Sequence, residues 1–257
     1  MNMDYLIKHG TVVTGGEIFP ADVGISGGKI HSIGKDLDGP SAKRTYDAEG
    51  CFVLPGFVDS HTHMSLPVSG TVSSDDFFTG GRAAVYGGTT TIIDFTSPEP
   101  GQSLPSAIES RRREAEICPI DFSFHGTLYG FRNNTEPKEL RQAIELGVTS
   151  FKFFTAYGES NRRTPDGELL DAFAEIARGG GTCMVHCEND EIISKRRRDL
   201  EEKGKGSIHF HPESRPDIAE STAVGKVIGL AQKTGASLHL AHLTTKESMD
   251  LLKRGKQ

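Results

Sequence analysis

From Cys51 onward, short apolar segments alternate with amphipathic segments, and this alternation constrains the fold more than any other feature of the sequence. Each apolar segment has the length of a strand, ends in polar residues and is followed by a segment with helical periodicity. Six such units are predicted, with strands over residues 52–59, 90–95, 120–128, 150–154, 182–187 and 237–243. Strands that alternate with helices predict a parallel sheet with right-handed crossovers.

The helices between these strands are predicted over residues 75–86, 104–117, 137–146, 167–178, 217–233 and 244–254. The third helix has start and stop signals, because Thr135 precedes Pro137 at its beginning and Gly147 follows its end. An open doubly wound sheet and a closed barrel both fit this pattern. The first strand lacks the glycine-rich loop of dinucleotide-binding sheets, so we predict an α/β fold of the TIM-like (β/α) barrel type.

The number of units is too small for a complete barrel. Residues 51–257 contain six units of about 34 residues each, so a closed barrel of eight units would need roughly 70 more residues. Residues 1–50 instead show short β-like runs separated by glycine turns such as Gly15-Gly16 and Gly27-Gly28. We therefore predict an N-terminal β module over 1–50, part of a β-sandwich, and a barrel over 51–257 that is truncated at its C-terminal end.

The composition excludes several classes of partner. The net charge is −6, and the basic run at residues 195–198 is followed directly by acidic residues, which is typical of a solvated helix face. No segment approaches the ~18 apolar residues of a membrane span, and the first residues lack a secretory signal. The four cysteines are scattered and form no CxxC pair. We predict a cytoplasmic protein that binds neither nucleic acid nor membrane.

Histidines follow the ends of three predicted strands, which is where the active sites of (β/α) barrels lie. His61 and His63 follow the first strand, and their spacing of two directs both imidazoles from one face of an extended chain. By itself, this pair is equally consistent with two hydrogen-bonded surface histidines. His186 and His242 end the fifth and sixth strands and add two nitrogen donors. Four histidines that converge on one barrel mouth favour a metal site.

Lys152 lies in the apolar strand at residues 150–154, where an unpaired ammonium is costly to bury. One interpretation is a lysine with a buried stem and an ammonium that reaches the barrel mouth. The other is that burial lowers the pKa of Lys152, so that the free amine adds carbon dioxide and the resulting carbamate bridges two cations. The second interpretation depends on the modification, because an ammonium has no acceptor atom.

These residues lie in motifs that resemble one family. The segment GFVDSHTH at residues 56–63 is similar to the opening motif of the amidohydrolase superfamily. The later motifs resemble those of dihydropyrimidinases and hydantoinases in particular: DDF at 75–77, GGTTTIIDF at 87–95, FKFFTAY at 151–157, VHCEN at 185–189, SRP at 214–216 with Glu220, and HLAHLTT at 239–245. The resemblance covers essentially the whole chain, as the N-terminal part of that family.

The resemblance implies two divalent metal ions, for which zinc fits the imidazole-rich donors best, and five protein ligands: His61, His63, Lys152, His186 and His242. The first two would bind the more buried ion, the last two the more exposed ion, and carboxylated Lys152 would bridge both. Tyr157 would hydrogen-bond the oxyanion of the tetrahedral intermediate. The family's remaining metal-binding aspartate belongs at the end of strand eight, beyond Gln257.

The implied activity is metal-dependent hydrolysis of cyclic amides through a hydroxide that bridges the two ions, which opens a dihydropyrimidine or a 5-substituted hydantoin. An arginine directly after the second histidine would suggest a dihydroorotase. Met64 follows His63 here, so a substrate without a carboxylate is favoured. The implied partners are a small cyclic amide and further copies of the chain, as in the homotetramers of the family.

A different class of function stays open. The resembled group includes the collapsin-response mediators, which keep the fold without catalysis, so an inactive assembly protein is the second hypothesis. The five retained ligand positions argue against it, whereas the missing C-terminal part argues for it. The sequence also fits a fragment of a longer enzyme, a natural truncation or a split subunit.

Overall fold

The computed structural model of the chain describes residues 3–37, 42–68, 70–99, 101–129 and 136–256. Thr135, the predicted start signal of the third helix, lies outside these residues. The chain divides into two compact units, Met1–Phe57 and Val58–Gln257. The predicted boundary at residue 50 precedes this division, and Phe52–Val53 belongs with the first unit because it pairs with a strand there.

The first unit is a five-stranded sheet formed by β1 (Tyr5–Val13), β2 (Ile18–Ser26), β3 (Lys29–Gly34), β4 (Arg44–Asp47) and β5 (Phe52–Val53). The first three strands pair in antiparallel fashion, whereas β4 and β5 both pair with β1 in parallel. Val12, Ala21 and Val23 form a small buried cluster in this sheet. That the module is part of a β-sandwich stays a prediction.

The second unit contains a sheet of six strands: β6 (Phe57–Asp59), β9 (Thr89–Phe95), β10 (Asp121–Thr127), β11 (Ser150–Phe154), β12 (Thr182–His186) and β13 (Ser237–Leu240). A short pair, β7 (Pro67–Val68) and β8 (Thr71–Val72), lies apart from it. Neighbours in the six-stranded sheet follow chain order, and the sheet curls into a parallel half-barrel. The predicted fold class, an incomplete TIM-like barrel preceded by a β module, is confirmed.

The helices that follow these strands are α1 (Phe77–Tyr86), α2 (Leu104–Ala115), α3 (Pro137–Glu145), α4 (Asp166–Arg178), α5 (Asp190–Glu202), α6 (His211–Ser214), α7 (Asp217–Thr234) and α8 (Lys246–Gly255). Six of them match the predicted helices within about two residues, the usual uncertainty of a helix end. Within the described ranges, no helix combines the length and the apolar character needed to cross a bilayer.

Two predicted features differ from the structure. The first predicted strand, 52–59, is two short strands separated at residues 54–56, because Pro55-Gly56 interrupts the extended segment. Helix α5 was missing from the predicted helices, although the basic run at 195–198 lies exposed on it as predicted. It buries only Ile193, so it lacks the apolar periodicity by which helices are recognised in a sequence.

Strand β11 separates the core from the interior of the half-barrel. Phe151 and Phe153 are fully buried, and the ring of Phe153 packs 5.8 Å from that of Phe173 in α4. Because side chains alternate along a strand, Lys152 points to the opposite side, away from the helices. The same alternation that forms the core therefore directs a lysine into the half-barrel.

Candidate metal centre

The predicted ligands come together at the C-terminal ends of four strands. They line one cavity of about 240 Å³, together with Tyr157: His61 and His63 after β6, Lys152 within β11, His186 at the end of β12 and His242 after β13. Strand order alone accounts for this convergence, because the carboxyl ends of parallel strands meet at one face of a barrel. The rest of the wall is largely aromatic, with Phe95, Tyr129 and Phe154.

The four imidazoles form a connected group. The ring centroids of His61 and His63 lie 5.2 Å apart, those of His186 and His242 5.0 Å apart, and those of His61 and His242 5.5 Å apart. Nδ1 of His186 faces Nε2 of His242 at 3.4 Å. Phe95 packs against both His61 and His63, at 4.6 and 4.7 Å between centroids. The four rings thus form a continuous chain of neighbours in the order His63, His61, His242 and His186.

The cavity lowers the pKa of three of its histidines. Burial, with a further contribution from the charge of Lys152, lowers the pKa of His61 to about 3 and that of His242 to about 4. Burial also lowers the pKa of His63. A neutral imidazole keeps one nitrogen lone pair, which is the form that binds a metal ion.

Lys152 is almost completely buried, and its Nζ lies over the rings of Phe95 and Phe154 at 5.6 and 5.4 Å. Burial lowers the pKa of Lys152 to about 8, and the ammonium forms no ion pair with any described residue. The hydroxyl oxygen of Thr127 is buried nearby in the same cavity, and it too has no hydrogen-bond partner in the described part of the chain. The cavity wall therefore contains a lysine without an ion pair and a buried hydroxyl without a hydrogen-bond partner among the described residues.

These observations test whether the side chains fit a pair of metal ions. Among the described residues, no group of three or more His, Cys, Asp or Glu side chains could hold one ion. Each histidine pair lacks at least one ligand, and a carbamate on Lys152 would offer one oxygen to each pair and an acceptor to Thr127. Four imidazoles on one cavity wall, a buried lysine without an ion pair among the described residues and a hydroxyl without a hydrogen-bond partner there fit a dinuclear centre with a modified lysine.

A buried ion pair holds the segment that contains His63. Oδ1 of Asp94, in β9, accepts hydrogen bonds from Nη2 of Arg111 at 2.6 Å and from Nε at 3.2 Å. Its Oδ2 accepts from the backbone N–H of Met64 at 2.8 Å and from the hydroxyl of Thr62 at 3.2 Å. Arg111 also donates to the backbone carbonyl of Met64. The pair ties α2 and β9 to both neighbours of His63.

Two more carboxylates hold the other histidines. Oε2 of Glu188 lies 2.6 Å from Nε2 of His186 and also accepts from Arg215. Glu220, in α7, accepts from the backbone N–H groups of Thr244 and Thr245, both at 3.0 Å, in the loop that follows His242. Burial would raise the pKa of Glu220, but hydrogen bonds from this loop and α8 lower it to about 2. Glu220 therefore stays ionised and fixes the loop.

Tyr157 lies above the cavity on a backbone in the left-handed region, with φ at 68°. Its ring stacks on that of His186 at 4.9 Å between centroids and lies 5.5 Å from the guanidinium carbon of Arg215. Burial raises the pKa of Tyr157, so its phenol stays protonated at neutral pH. Because a left-handed backbone is unfavourable for a tyrosine, the surrounding contacts must hold this conformation.

Several residues of the site could not be assigned from the sequence. A carboxylate within the apolar run 89–95 was the available signal for Asp94, because a buried charge requires a partner. No comparable signal in the sequence marked its partner Arg111, which is one of several charged residues in helix α2. His125 does not line the cavity, since its ring nitrogens contact the hydroxyl of Ser150 at 2.5 Å and the carbonyl of Ser60 at 2.9 Å.

Comparisons with known proteins identify the family of the chain. The chain matches the amidohydrolase family over residues 52–257. It is 36% identical to the D-hydantoinase of Geobacillus stearothermophilus over 249 residues, which cover 96% of this chain and 52% of that protein. It is 39% identical to the D-hydantoinase of Rhizobium radiobacter over 255 residues, 99% of this chain and 55% of that protein.

The chain is also similar in structure to a solved protein. The dihydropyrimidinase from Brevibacillus agri NCHU1002 superposes with a TM-score of 0.93 at 34% identity, which covers 98% of this chain and 54% of that one. The chain therefore spans about half the length of the curated relatives it matches.

We predict that Arg111→Met lowers the free energy of unfolding by about 3–5 kcal/mol, because it leaves the Asp94 carboxylate buried without its partner. The control is Arg113→Met on the same helix, where the exposed side chain donates a hydrogen bond to Ser110 and forms no ion pair with the residues that the structure describes. It should cost less than about 1 kcal/mol. Urea unfolding measures both, and equal losses in the two variants would show that the buried pair does not hold this region.

Proposed function

This chain belongs to the amidohydrolase family, and on that premise we propose that the protein hydrolyses a cyclic amide, opening the ring of a dihydropyrimidine or a 5-substituted hydantoin. The observation that carries the proposal is the convergence of four imidazoles and Lys152 on one cavity. The names of the similar proteins, D-hydantoinases and a dihydropyrimidinase, support this substrate class.

The proposed site holds two divalent cations, with zinc the best fit to its donors. His61 and His63 would bind one ion, His186 and His242 the other, and a carbamate on Lys152 both. When bound, such ions supply an activated water and polarise the carbonyl that it attacks. The lowered pKa values of His61 and His242 support this assignment, because protonated rings would repel the ions.

Lys152 would be modified by carbon dioxide. Its neutral amine forms a bond from Nζ to the carbon of carbon dioxide and releases one proton, which leaves an anionic carbamate with two oxygens. The lowered pKa of Lys152 supports this step, because it raises the fraction of free amine at neutral pH. The unpartnered hydroxyl of Thr127 would then donate a hydrogen bond to one carbamate oxygen.

Tyr157 would stabilise the negative charge that develops on the carbonyl oxygen of the substrate. Its raised pKa keeps the phenol protonated, so it can donate a hydrogen bond when that charge appears. Stacking on His186 holds the ring beside the proposed cation site. The aromatic wall formed by Phe95, Tyr129 and Phe154 would pack against the flat ring of the substrate and displace water.

The first prediction of the proposed function concerns the number of bound cations. The complete protein, purified and dialysed, should retain about two divalent ions per chain, and Lys152→Met should lose them because the bridging oxygens are removed. Plasma mass spectrometry measures the metal content. Lys226→Met, which alters an ion pair with Asp166, is the control and should keep both ions. Two tightly bound ions in Lys152→Met would exclude the bridging role, and a metal-free wild-type protein would favour a non-catalytic assembly protein.

The second prediction concerns Tyr157→Phe, which keeps the stacked ring and removes only the hydroxyl. Loss of one donor to a developing oxyanion should lower kcat by about 10²–10³-fold with little change in KM. The control is Tyr86→Phe, since Tyr86 is 88% exposed. A kcat equal to that of the wild type would leave Tyr157 with a packing role alone.

The third prediction concerns the substrate. The complete protein should open 5,6-dihydrouracil or a 5-substituted hydantoin, measured as loss of ring absorbance, and should not act on dihydroorotate. The reason is that Met64 follows His63 at the sequence position where a dihydroorotase would carry an arginine, and here that side chain is apolar and packs in the core. Comparable kcat/KM values for dihydroorotate and dihydrouracil would refute this substrate class.

A further inference from the structure

The two ring nitrogens of His186 have different neighbours. Nε2 lies 2.6 Å from Oε2 of Glu188, whereas Nδ1 faces Nε2 of His242 at 3.4 Å. Only one ring nitrogen carries a proton in a neutral imidazole, and its hydrogen bonds decide which one. The contacts on the Nε2 side therefore determine whether Nδ1 can bind a cation.

The side chain and the backbone of Glu188 are both held by hydrogen bonds, so its carboxylate has a fixed position beside Nε2 of His186. Its side chain is 14% exposed, and Arg215 donates to the same oxygen that faces His186. Its backbone is fixed by Thr155, whose hydroxyl accepts from the Glu188 N–H at 2.9 Å and donates to the Glu188 carbonyl at 2.8 Å. With Arg215 beside it, the carboxylate stays ionised and can only accept a hydrogen bond.

We propose that Glu188 is a positioning residue that keeps the proton of His186 on Nε2, so that the lone pair of Nδ1 points into the gap shared with His242. The inference rests on the proposed function, since it concerns the residues assigned to the second cation. Glu188 accepts from the Nε2–H, and Nδ1 is then the only ring nitrogen free to bind. Carboxylates that orient metal-binding histidines in this way change metal affinity by about 10–100-fold when they are removed.

Arg215 extends the same arrangement to Tyr157. Its guanidinium contacts Glu188 and lies 5.5 Å from the ring of Tyr157, while that ring stacks on His186. Glu188, Arg215 and Tyr157 thus enclose the side of His186 that faces away from His242. No equivalent carboxylate contacts the ring of His61 within the described residues. Loss of Glu188 should therefore affect one cation site and not the other.

The test uses the complete protein, freed of metal and titrated with Co²⁺, whose absorption bands report the ligands of each ion. Glu188→Gln keeps the size of the side chain but can also donate a hydrogen bond, so it no longer imposes the Nε2–H form. It should weaken one of the two ions by about 10–100-fold and shift its bands, with the other ion unchanged. The control is Glu191→Gln. Glu191 is exposed in the first turn of α5, three residues after Glu188, and its substitution should alter neither ion.

The outcomes separate this inference from the proposed function. Two unchanged Co²⁺ affinities in Glu188→Gln, or equal weakening of both ions, would overturn the positioning role. A wild-type protein that binds no Co²⁺ would instead overturn the proposed function. In that case, the nitrogen shifts of ¹⁵N-labelled histidine in the metal-free protein still decide the inference. His186 should carry its proton on Nε2 in the wild type and should be a mixture of the Nδ1–H and Nε2–H tautomers in Glu188→Gln, and a proton on Nδ1 in the wild type would overturn it.

Discussion

The parallel register of the half-barrel is the constraint on which the rest of the site depends. Lys152 in β11 is level with Thr127 in β10 and with Met184 in β12, and Met184 is level with His239 in β13. Side chains at one level of parallel strands point to the same side. This row lies inside the half-barrel, so a shift of one residue in β11 would move Lys152 into the helix layer and replace it with a phenylalanine.

Carboxylates next to the cavity hold the segments that carry its histidines. Each histidine segment is held by a different carboxylate: Asp94 for the residues around His63, Glu188 for His186, and Glu220 for the loop after His242. All three accept hydrogen bonds from groups outside the candidate ligands, so they bring charge close to the cavity without lining it. The carboxylates hold the histidine segments in position, whereas burial and the charge of Lys152 lower the pKa of His61 and His242, and a preorganised metal site benefits from both effects.

Prediction from the sequence succeeded where local patterns carried the information. The six strands, the six matching helices and the incomplete barrel followed from apolar periodicity, and the strand-end position of His61, His63, His186 and His242 followed from those strands. The pattern failed at residues 54–56, where a proline and a glycine interrupt an otherwise continuous apolar run, and at α5, which packs too little apolar surface to be recognised. The metal-binding roles came from family resemblance.

The sequence by itself determined the kinds of chemical group available and the order in which they reach one face of the sheet, because periodicity and strand order are local properties. Only the tertiary structure decided which groups support them. The contact between Asp94 and Arg111, the ion pair of Arg215 with Glu188, and the position of the Thr127 hydroxyl in the same cavity as Lys152 all join residues from separate segments. Such contacts depend on side-chain direction and on burial from several sides, and neither quantity is encoded in the spacing of residues along one segment.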